Sequence, residues 1–222
     1  MTLAEKILSF NKSLSIRQPL PADVEVMNPY MDKNSFALCK LFYTKYYNDH
    51  NRRTVILGIN PGRFGGGVTG IPFTDPVKLE HYCGIANDLK KKTELSADFI
   101  YQMIQAFGGP EKFYSKFYIS AISPLGFTKE GKNMNYYDSK ELQESLSDFI
   151  ITSLQKQIAF GLNTETCYCL GEGQNFKFLR KLNETHRFFK KVVPLAHPRF
   201  IMQYKRKKVS EYVEKYVETM SE

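Results

Sequence analysis

Four short apolar segments are spread along the chain, and each ends at a polar or turn-forming residue. They occupy residues 55–59, 117–122, 166–170 and 191–195. Continuous apolar runs of this length are typical of parallel strands that are buried on both faces. Helical patterns alternate with them, so the sequence predicts an α/β fold with three α/β/α layers around a central, mainly parallel four-stranded sheet.

The predicted helices have apolar residues at helical spacing. They span residues 1–16, 35–47, 81–91, 96–107, 139–159 and 207–217. A further helix follows the third strand and reaches about residue 182. Three prolines in residues 17–34 predict an extended arm there. Residues 126–138 are predicted to form a loop. Without repeats or linkers, we expect the 222 residues to form one domain, with the N-terminal helix and arm over residues 1–34.

Polar side chains stand where three of these strands end. Asn60 follows the first strand, Ser120 and Ser123 end the second, and His197 follows the fourth. Parallel strands place their carboxyl ends along one edge of a sheet, which is where ligands bind in open α/β folds. The sequence therefore predicts one active cleft at this edge.

Composition places the chain among ordinary globular proteins, with 42% hydrophobic and 24% charged residues. No apolar run approaches the roughly 20 residues that span a bilayer. The N-terminus lacks the pattern of a signal peptide, so we expect a cytoplasmic location. The four cysteines include no C-x-x-C pair, which favours reduced core thiols over a metal site.

The formal net charge is +8, and the excess is uneven. Basic clusters lie at residues 90–92, 187–191 and 205–208. Such patches attract nucleic-acid phosphates without regard to sequence, although a solvated helix face carries similar clusters. Charge alone therefore leaves DNA binding and an ordinary basic surface both open.

The glycine-rich segment 58–70 is not a known nucleotide signature. It has no Gly-Lys-Ser/Thr, so it is not a P-loop, and Asn60 stands where a dinucleotide fingerprint has its middle glycine. The chain also lacks G-x-S-x-G and a pair of carboxylates that would mark a hydrolase. Glycines in such number let backbone approach a ligand closely.

Five side chains near the predicted cleft could carry chemistry. Asn60 can hold a water and donate a hydrogen bond, or cap its turn. His197 can stabilise charge on a leaving group. Phe73 can stack on a flat base or pack in the core, and Arg199 and Phe200 can brace a nucleic-acid strand or form an ordinary ion pair and buried ring.

Three stretches resemble the uracil-DNA glycosylase superfamily, most of all its single-strand-selective monofunctional branch. The stretch GINPGRFG at residues 58–65 is similar to the first motif of that branch, G-M-N-P-G-P-F-G. TGIPF at residues 69–73 is similar to its T-G-V-P-F, and HPR at residues 197–199 is similar to a shortened H-P-S-P-R. The resemblance covers about residues 52–217, which would form the core.

The resemblance implies a DNA glycosylase that acts on uracil or another damaged base by hydrolysis. Asn60 would position the water, and His197 would stabilise the departing base. No metal or cofactor is implied, DNA is the partner, and a monomer is expected. The base would be bound by Gly58, Ile59, Gly62, Phe73, Ser120 and Ala121. DNA would be bound by Gly65, Arg199, Phe200, Lys205, Arg206 and Lys207.

One position departs from the superfamily pattern. Relatives usually have an asparagine that contacts the edge of uracil at the end of the middle strand, and here that residue is Ala121. The Asn133 and Asn135 side chains could compensate. Two alternatives therefore accompany the glycosylase: an inactive module that binds single-stranded or damaged DNA, and an enzyme that binds nucleotide phosphates with the glycine loop, disfavoured because no helix start is evident there.

Overall fold

The computed structural model describes residues 1–221, and that part of the chain contains seven strands. They are β1 (Val24–Met27), β2 (Thr54–Gly58), β3 (Phe117–Ala121), β4 (Gly126–Lys129), β5 (Lys132–Met134), β6 (Asn163–Leu170) and β7 (Lys191–Leu195). Four of them form a sheet in the order β3-β2-β6-β7, and each neighbouring pair is parallel. The predicted parallel sheet is confirmed, and it consists of the four predicted strands.

Eleven α-helices and two short 3₁₀ turns, at Pro29–Met31 and Arg206–Lys208, complete the described chain. The helices are α1 (Leu3–Ser13), α2 (Lys33–Tyr47), α3 (Gly66–Thr69), α4 (Pro76–His81), α5 (Leu95–Ala106), α6 (Pro110–Lys116), α7 (Lys140–Ser145), α8 (Ser147–Ile158), α9 (Gln174–His186), α10 (Pro198–Tyr204) and α11 (Val209–Ser221). None of the helices in residues 1–221 is long and apolar enough to cross a membrane.

Helices cover both faces of the parallel sheet. Every residue of β3 is buried, and so are the last four residues of β2. Because successive strand residues point to opposite faces, burial of all of them requires packing on both sides. The predicted three-layer α/β/α architecture is therefore present.

The proline-containing arm and the loop after β3 form a second sheet that the sequence did not predict. β4 and β5 make an antiparallel hairpin whose turn has positive φ at Glu130 and Gly131. β1, from the predicted arm, pairs antiparallel with β4, so that Val26 lies opposite Phe127. The arm is therefore not simply extended, because backbone groups of β4 supply its hydrogen bonds.

The prediction of a helix over residues 81–91 is wrong. The structure has α4 just before this segment, at Pro76–His81. Asp75 caps α4 by accepting a hydrogen bond from the Lys78 N–H at 2.8 Å, and Pro76 occupies its first turn. The chain leaves the helical conformation after His81, and Gly84 has a φ of +65°. Proline and its capping aspartate thus fix the start of this helix.

Three other helical boundaries differ from prediction. The helix predicted over residues 139–159 is divided at Leu146 into α7 and α8. α6 begins directly at Pro110, where the sequence indicated only a stop. α10 follows His197, in a stretch expected to be irregular before a closing helix. Proline at a first helical position accounts for both of the missed helices.

The register of the sheet brings the site residues together. Gly58 pairs with Ala121 at the ends of β2 and β3. The two segments that follow these strands remain hydrogen-bonded. The N–H of Ile122 donates to the Gly58 carbonyl at 3.0 Å, and that of Ser123 donates to the Ile59 carbonyl at 3.1 Å. The segment that carries Asn60 is thus held rigidly above the sheet edge.

Candidate active site

The carboxyl ends of the parallel strands open into one cleft of about 500 Å³. Its walls come from the segments after β2, β3, β6 and β7, as the strand pattern predicts. Nine residues predicted for the site line it: Gly58, Ile59, Asn60, Gly62, Phe73, Ala121, His197, Arg199 and Phe200.

Five other predicted site residues do not line this cleft. Ser120 lines a small chamber behind Ala121, because neighbouring residues in a strand point to opposite sides. Gly65 is buried. Lys205, Arg206 and Lys207 are exposed and follow the end of α10, beside the cleft. The structure therefore separates a base-sized cleft from a basic segment at its edge.

Asn60 lies in the cleft wall and its side-chain amide is fixed in orientation. Its Oδ1 accepts a hydrogen bond from the N–H of Tyr136 at 3.0 Å, and its Nδ2 donates to the Met134 carbonyl at 3.2 Å. Both partners lie at or just after the end of β5. An amide oxygen has two lone pairs, so Oδ1 can accept one further hydrogen bond from a water in the cleft.

Phe73 packs against the backbone of β2 at the cleft. A Cβ atom on Gly58 would lie 2.7 Å from Cε2 of the ring, so only glycine leaves room for it. Phe73 has a φ of +53°, a strained conformation for a residue with a side chain. Thr69 holds the turn, because its Oγ1 donates to the Thr74 carbonyl at 2.6 Å and accepts from the Ile71 N–H at 3.1 Å. The fold thus fixes the ring where a base could stack.

His197 caps α10 and is neutral at pH 7. Its Nδ1 accepts a hydrogen bond from the N–H of Arg199 at 3.1 Å. Burial, and then the positive charge of Arg199, lower its pKa to about 4. Because Nδ1 is an acceptor, the ring proton lies on Nε2, which is left to donate to a ligand. The preceding residue is held in place as well, since the Tyr216 hydroxyl donates to the Ala196 carbonyl.

The cleft contains a carboxylate that no sequence motif indicated. Glu94 precedes α5, and its N–H donates to Oδ2 of the buried Asp75 at 2.9 Å. Its two carboxylate oxygens lie where side chains on Gly62 and Gly65 would begin. Burial and the charge of Asp75 raise its pKa to about 7, against the opposing effect of Arg199. The cleft therefore has a nearby carboxylate that the sequence analysis did not name.

A helix does begin in the glycine loop, contrary to expectation. α3 starts at Gly66, but it has only four residues. The carboxylate of Glu94 lies against Gly65, directly before it. A phosphate bound there would meet this carboxylate, so the structure disfavours the nucleotide-binding alternative for a different reason from the one the sequence suggested.

α10 forms one edge of the cleft and presents two aromatic rings to solvent. Phe200 is 43% exposed and Tyr204 is 67% exposed, and their ring centroids are 5.6 Å apart. The ammonium group of Lys205 lies 6.0 Å from the centroid of the Phe200 ring. Exposed rings beside cations suit the stacking of nucleic-acid bases and contact with phosphates.

Metal ligands are not assembled anywhere in residues 1–221, where no group of three or more His, Cys, Asp or Glu side chains could hold an ion. The four cysteines are free and buried. Burial raises the pKa of each of these thiols.

The family model of the uracil DNA glycosylase superfamily matches residues 44–221. This chain belongs to that superfamily. The matched segment begins within α2. Membership supports a DNA glycosylase function and a role in DNA repair, with DNA as the substrate.

Among solved structures, the glycosylase is similar to the crystal structure of wild-type SMUG2 from Pedobacter heparinus. The two share 49% sequence identity with a TM-score of 0.97, over 100% of this chain and 97% of that one. The predicted resemblance to the single-strand-selective monofunctional branch is thereby confirmed. A comparison with curated protein sequences found no match.

Glu94 and Tyr204 are among the residues of the cleft wall that the sequence did not predict. Glu94 lies about 30 residues after the first motif, in a segment without a strand, and no spacing rule connects the two. The sequence did contain a signal for Tyr204. It stands four residues after Phe200, the spacing that puts two side chains on one face of a helix, but α10 itself was not predicted.

Proposed function

We propose that this protein is a monofunctional glycosylase that removes uracil from DNA by hydrolysing its N-glycosidic bond. The observation that carries the proposal is the state of His197, a neutral imidazole whose free Nε2–H lies in the same cleft as Asn60 and Phe73. A neutral donor is suited to a base that leaves as an anion, since it stabilises the charge without having to be protonated first.

Cleavage requires two opposite charges to be stabilised. When the bond between the base and the sugar breaks, its electron pair leaves with uracil and the sugar becomes a cation resembling an oxocarbenium ion. The Nε2–H of His197 would donate to the uracil anion. Glu94, where ionised, would supply a negative charge within the same cleft that favours the sugar cation.

Asn60 would supply the nucleophile. Its Oδ1 keeps one lone pair for a water, and the hydrogen bonds to Tyr136 and Met134 prevent the amide from turning. The oxygen of this water would bond to C1′ of the sugar, and its proton would pass to solvent or to the Glu94 carboxylate. Such positioning lowers the entropic cost of bringing water to a short-lived cation.

The monofunctional character follows from the cleft wall. A glycosylase that also cuts the strand needs an amine that attacks C1′, and lysine is the usual source. Within the described residues, no lysine lines the cleft. Water is therefore the nucleophile that this chain's own residues can offer.

DNA would approach along α10. Arg199, Phe200 and Tyr204 lie at the edge of the cleft, and Lys205, Arg206 and Lys207 extend the positive surface beyond it. To reach the cleft, a base must rotate out of its strand, and an aromatic or apolar side chain can fill the space that it leaves. Phe200 is the side chain best placed for that role.

The test uses single- and double-stranded oligonucleotides that carry one uracil, followed by alkali to break abasic sites. The purified protein should yield strand breaks, whereas Asn60→Ala and His197→Ala should lower the rate and leave DNA affinity nearly unchanged. His81→Ala is the matched control, because that histidine is exposed and lies outside the cleft. Breaks at uracil in the wild type that both site variants lose would support the proposal.

Binding without breaks would overturn the proposal in favour of an inactive DNA-binding module. In that case the two site variants should behave as wild type. Charge reversal at Lys205, Arg206 and Lys207 should then remove binding, and affinity should fall steeply with salt. Breaks with hypoxanthine or xanthine but not with uracil would instead retain the glycosylase and reject uracil as its substrate.

A further inference from the structure

A small chamber lies behind the cleft, at the end of β3. Its volume is about 10 Å³, which is the size that one water occupies. It shares four wall residues with the cleft, Pro61, Gly66, Pro72 and Ala121. The cleft and the chamber therefore meet at these four residues. Asn133 and Asn135 line the cleft as the sequence analysis suggested, whereas Ala121 offers a base no polar contact at the end of β3.

The chamber is lined by polar side chains from distant parts of the chain. Asn11 of α1 is 3% exposed, and its Nδ2 has no hydrogen-bond partner within residues 1–221. Ser120, Tyr30, Tyr43 and Tyr118 also line it. A buried amide donor without a partner loses its hydrogen bonds to water on folding, so such groups usually have a protein or ordered-water partner.

Packing alone does not account for Asn11. Its neighbours on the buried face of α1, Ile7 and Phe10, are apolar and belong to the hydrophobic core. A leucine at position 11 would continue that face without an unsatisfied donor. The amide is placed instead at a chamber that adjoins the cleft.

We propose that Asn11 fixes a buried water in this chamber, and that the water reads the edge of the base bound in the cleft. The inference rests on the proposed function. Asn11 and its water would supply the polar contact that Ala121 cannot make. A residue of the N-terminal helix, outside every motif of the family, would thus determine base specificity.

The hydrogen-bond directions determine which base is preferred. Nδ2 of Asn11 is a donor, so it would occupy one lone pair of the water oxygen, and a hydroxyl of the chamber wall would donate to the other. Both hydrogens of the water then point elsewhere, and one is directed to an acceptor on the base. A carbonyl oxygen satisfies it, whereas an amino group does not. Uracil, with a carbonyl where cytosine has an amino group, is the type of base that this arrangement favours.

The experiment compares Asn11→Leu with the wild type and with Ile7→Ala. Ile7 is fully buried on the same helix but does not line the chamber, so its variant reports on a loosened α1 alone. Two measurements are made on each protein: the dissociation constants of free uracil and free cytosine, and kcat/KM for release of uracil. Asn11→Leu should weaken uracil binding and excision about tenfold, the effect of one hydrogen bond, and leave cytosine binding unchanged. Ile7→Ala should change neither the uracil-to-cytosine ratio nor kcat/KM beyond about twofold.

A second variant keeps the proposal falsifiable should Asn11→Leu fail to fold. Ala121→Val enlarges the side chain between cleft and chamber and leaves Asn11 in place. If the water acts through this point, Ala121→Val alone should weaken the binding of uracil and leave that of cytosine unchanged, and an equal loss for both bases would overturn the proposal. Where Asn11→Leu folds, the effects of the two changes on uracil binding should not add in the double variant. Additive effects, or an unchanged uracil-to-cytosine ratio in Asn11→Leu, would overturn the proposal.

The two proposals fail in different ways. If the wild type releases no uracil but binds free uracil through Asn11, then the proposed function fails and the chamber stands as a base-binding subsite. If the wild type releases uracil and Asn11→Leu matches Ile7→Ala, the glycosylase stands and the chamber proposal is rejected.

Discussion

The Nδ1 atom of His197 accepts a hydrogen bond from the backbone N–H of Arg199 at 3.1 Å. The first turn of α10 thereby selects the tautomer of the imidazole. Arg199 has a further effect, because its charge adds to burial in lowering the pKa of the ring to about 4. One residue thus sets both the orientation and the charge of the donor that we propose for the leaving base.

Replacement of His197 by alanine should reduce the rate of uracil release by about 10²–10³-fold, the usual loss when one donor to a developing anion is removed. Single-turnover rates on a saturating single-stranded substrate measure this step apart from binding. His197→Gln, which keeps a donor, should recover part of the rate. Equal rates in all three proteins would exclude His197 from the reaction.

The neutrality of His197 has its own test. Its folded pKa of about 4 lies below the unfolded value of about 6.5, so the unfolded chain binds more protons between those values. Its contribution to stability is therefore present above pH 6.5 and is lost as the pH falls towards 4. NMR signals of the His197 ring should stay those of the neutral form from pH 8 to pH 5, and a titration near 6.5 would contradict this.

Glu94→Gln should change the dependence of stability on pH. The folded pKa of Glu94 is raised from 4.5 to about 7 by burial, Asp75 and Asp98, and opposed by Arg199. The folded chain therefore binds more protons in that window, and this group makes the wild type less stable as the pH rises from 4.5 to 7. The variant should gain up to about 3 kcal/mol relative to wild type between pH 4.5 and 8. Urea unfolding at both pH values measures the gain.

Glu172→Gln is the control for this prediction, because Glu172 also lines the cleft but is exposed. It should show no comparable gain. If Glu94→Gln and the control follow the wild type in parallel at every pH, the carboxylate of Glu94 is not held in a buried environment.

Gly58→Ala should displace the ring of Phe73, since the new methyl carbon would lie 2.7 Å from it. Overpacking of this kind costs about 1–3 kcal/mol of stability. We expect uracil release to fall more than the stability loss alone would explain, because the base loses its stacking partner. Gly173→Ala is the matched control: Gly173 lines the same cleft, but a Cβ there has no neighbour within 4 Å. Loss of activity in the control would show that the cleft tolerates no added carbon at all.

Arg53→Ala should destabilise the fold without altering base specificity. Arg53 is 1% exposed at the start of β2, and its guanidinium binds Asp49 at 2.7 Å and the Tyr114 carbonyl at 2.7 Å. Asp49 is 36% exposed, so water can solvate it in the variant, and the loss of hydrogen bonds from a charged group costs about 1.5–3 kcal/mol. The neighbouring Arg52 is exposed, and Arg52→Ala should stay within about 0.5 kcal/mol of wild type. Thermal unfolding of the two variants distinguishes them.

The central sheet was predictable because its strands are buried on both faces. A strand such as β3 needs only apolar residues in sequence, and that signal is local. Asn60 and His197 could be located because each stands two residues after the end of a parallel strand. Their identity as site residues depended on where parallel strands end rather than on any long-range contact.

The small sheet and Glu94 could not be predicted in this way. β1 forms hydrogen bonds with β4, about 100 residues later in the chain, and neither strand has a strong apolar pattern. Glu94 reaches the cleft because its N–H is bound by Asp75, which also caps α4. Tertiary hydrogen bonds of this kind leave no period in the sequence. The incorrect helix over residues 81–91 arose from helical spacing that a capping aspartate and proline overrode.

The contact between Tyr216 and Ala196 bears on how the protein is synthesised. α11, which carries Tyr216, follows His197 in the chain, and the Tyr216 hydroxyl holds the carbonyl just before His197. A nascent chain that already contains every motif of the site still lacks this support. Under the proposed function, a chain that ends before Tyr216 should therefore release uracil more slowly than the full chain, because the carbonyl next to His197 has lost its partner.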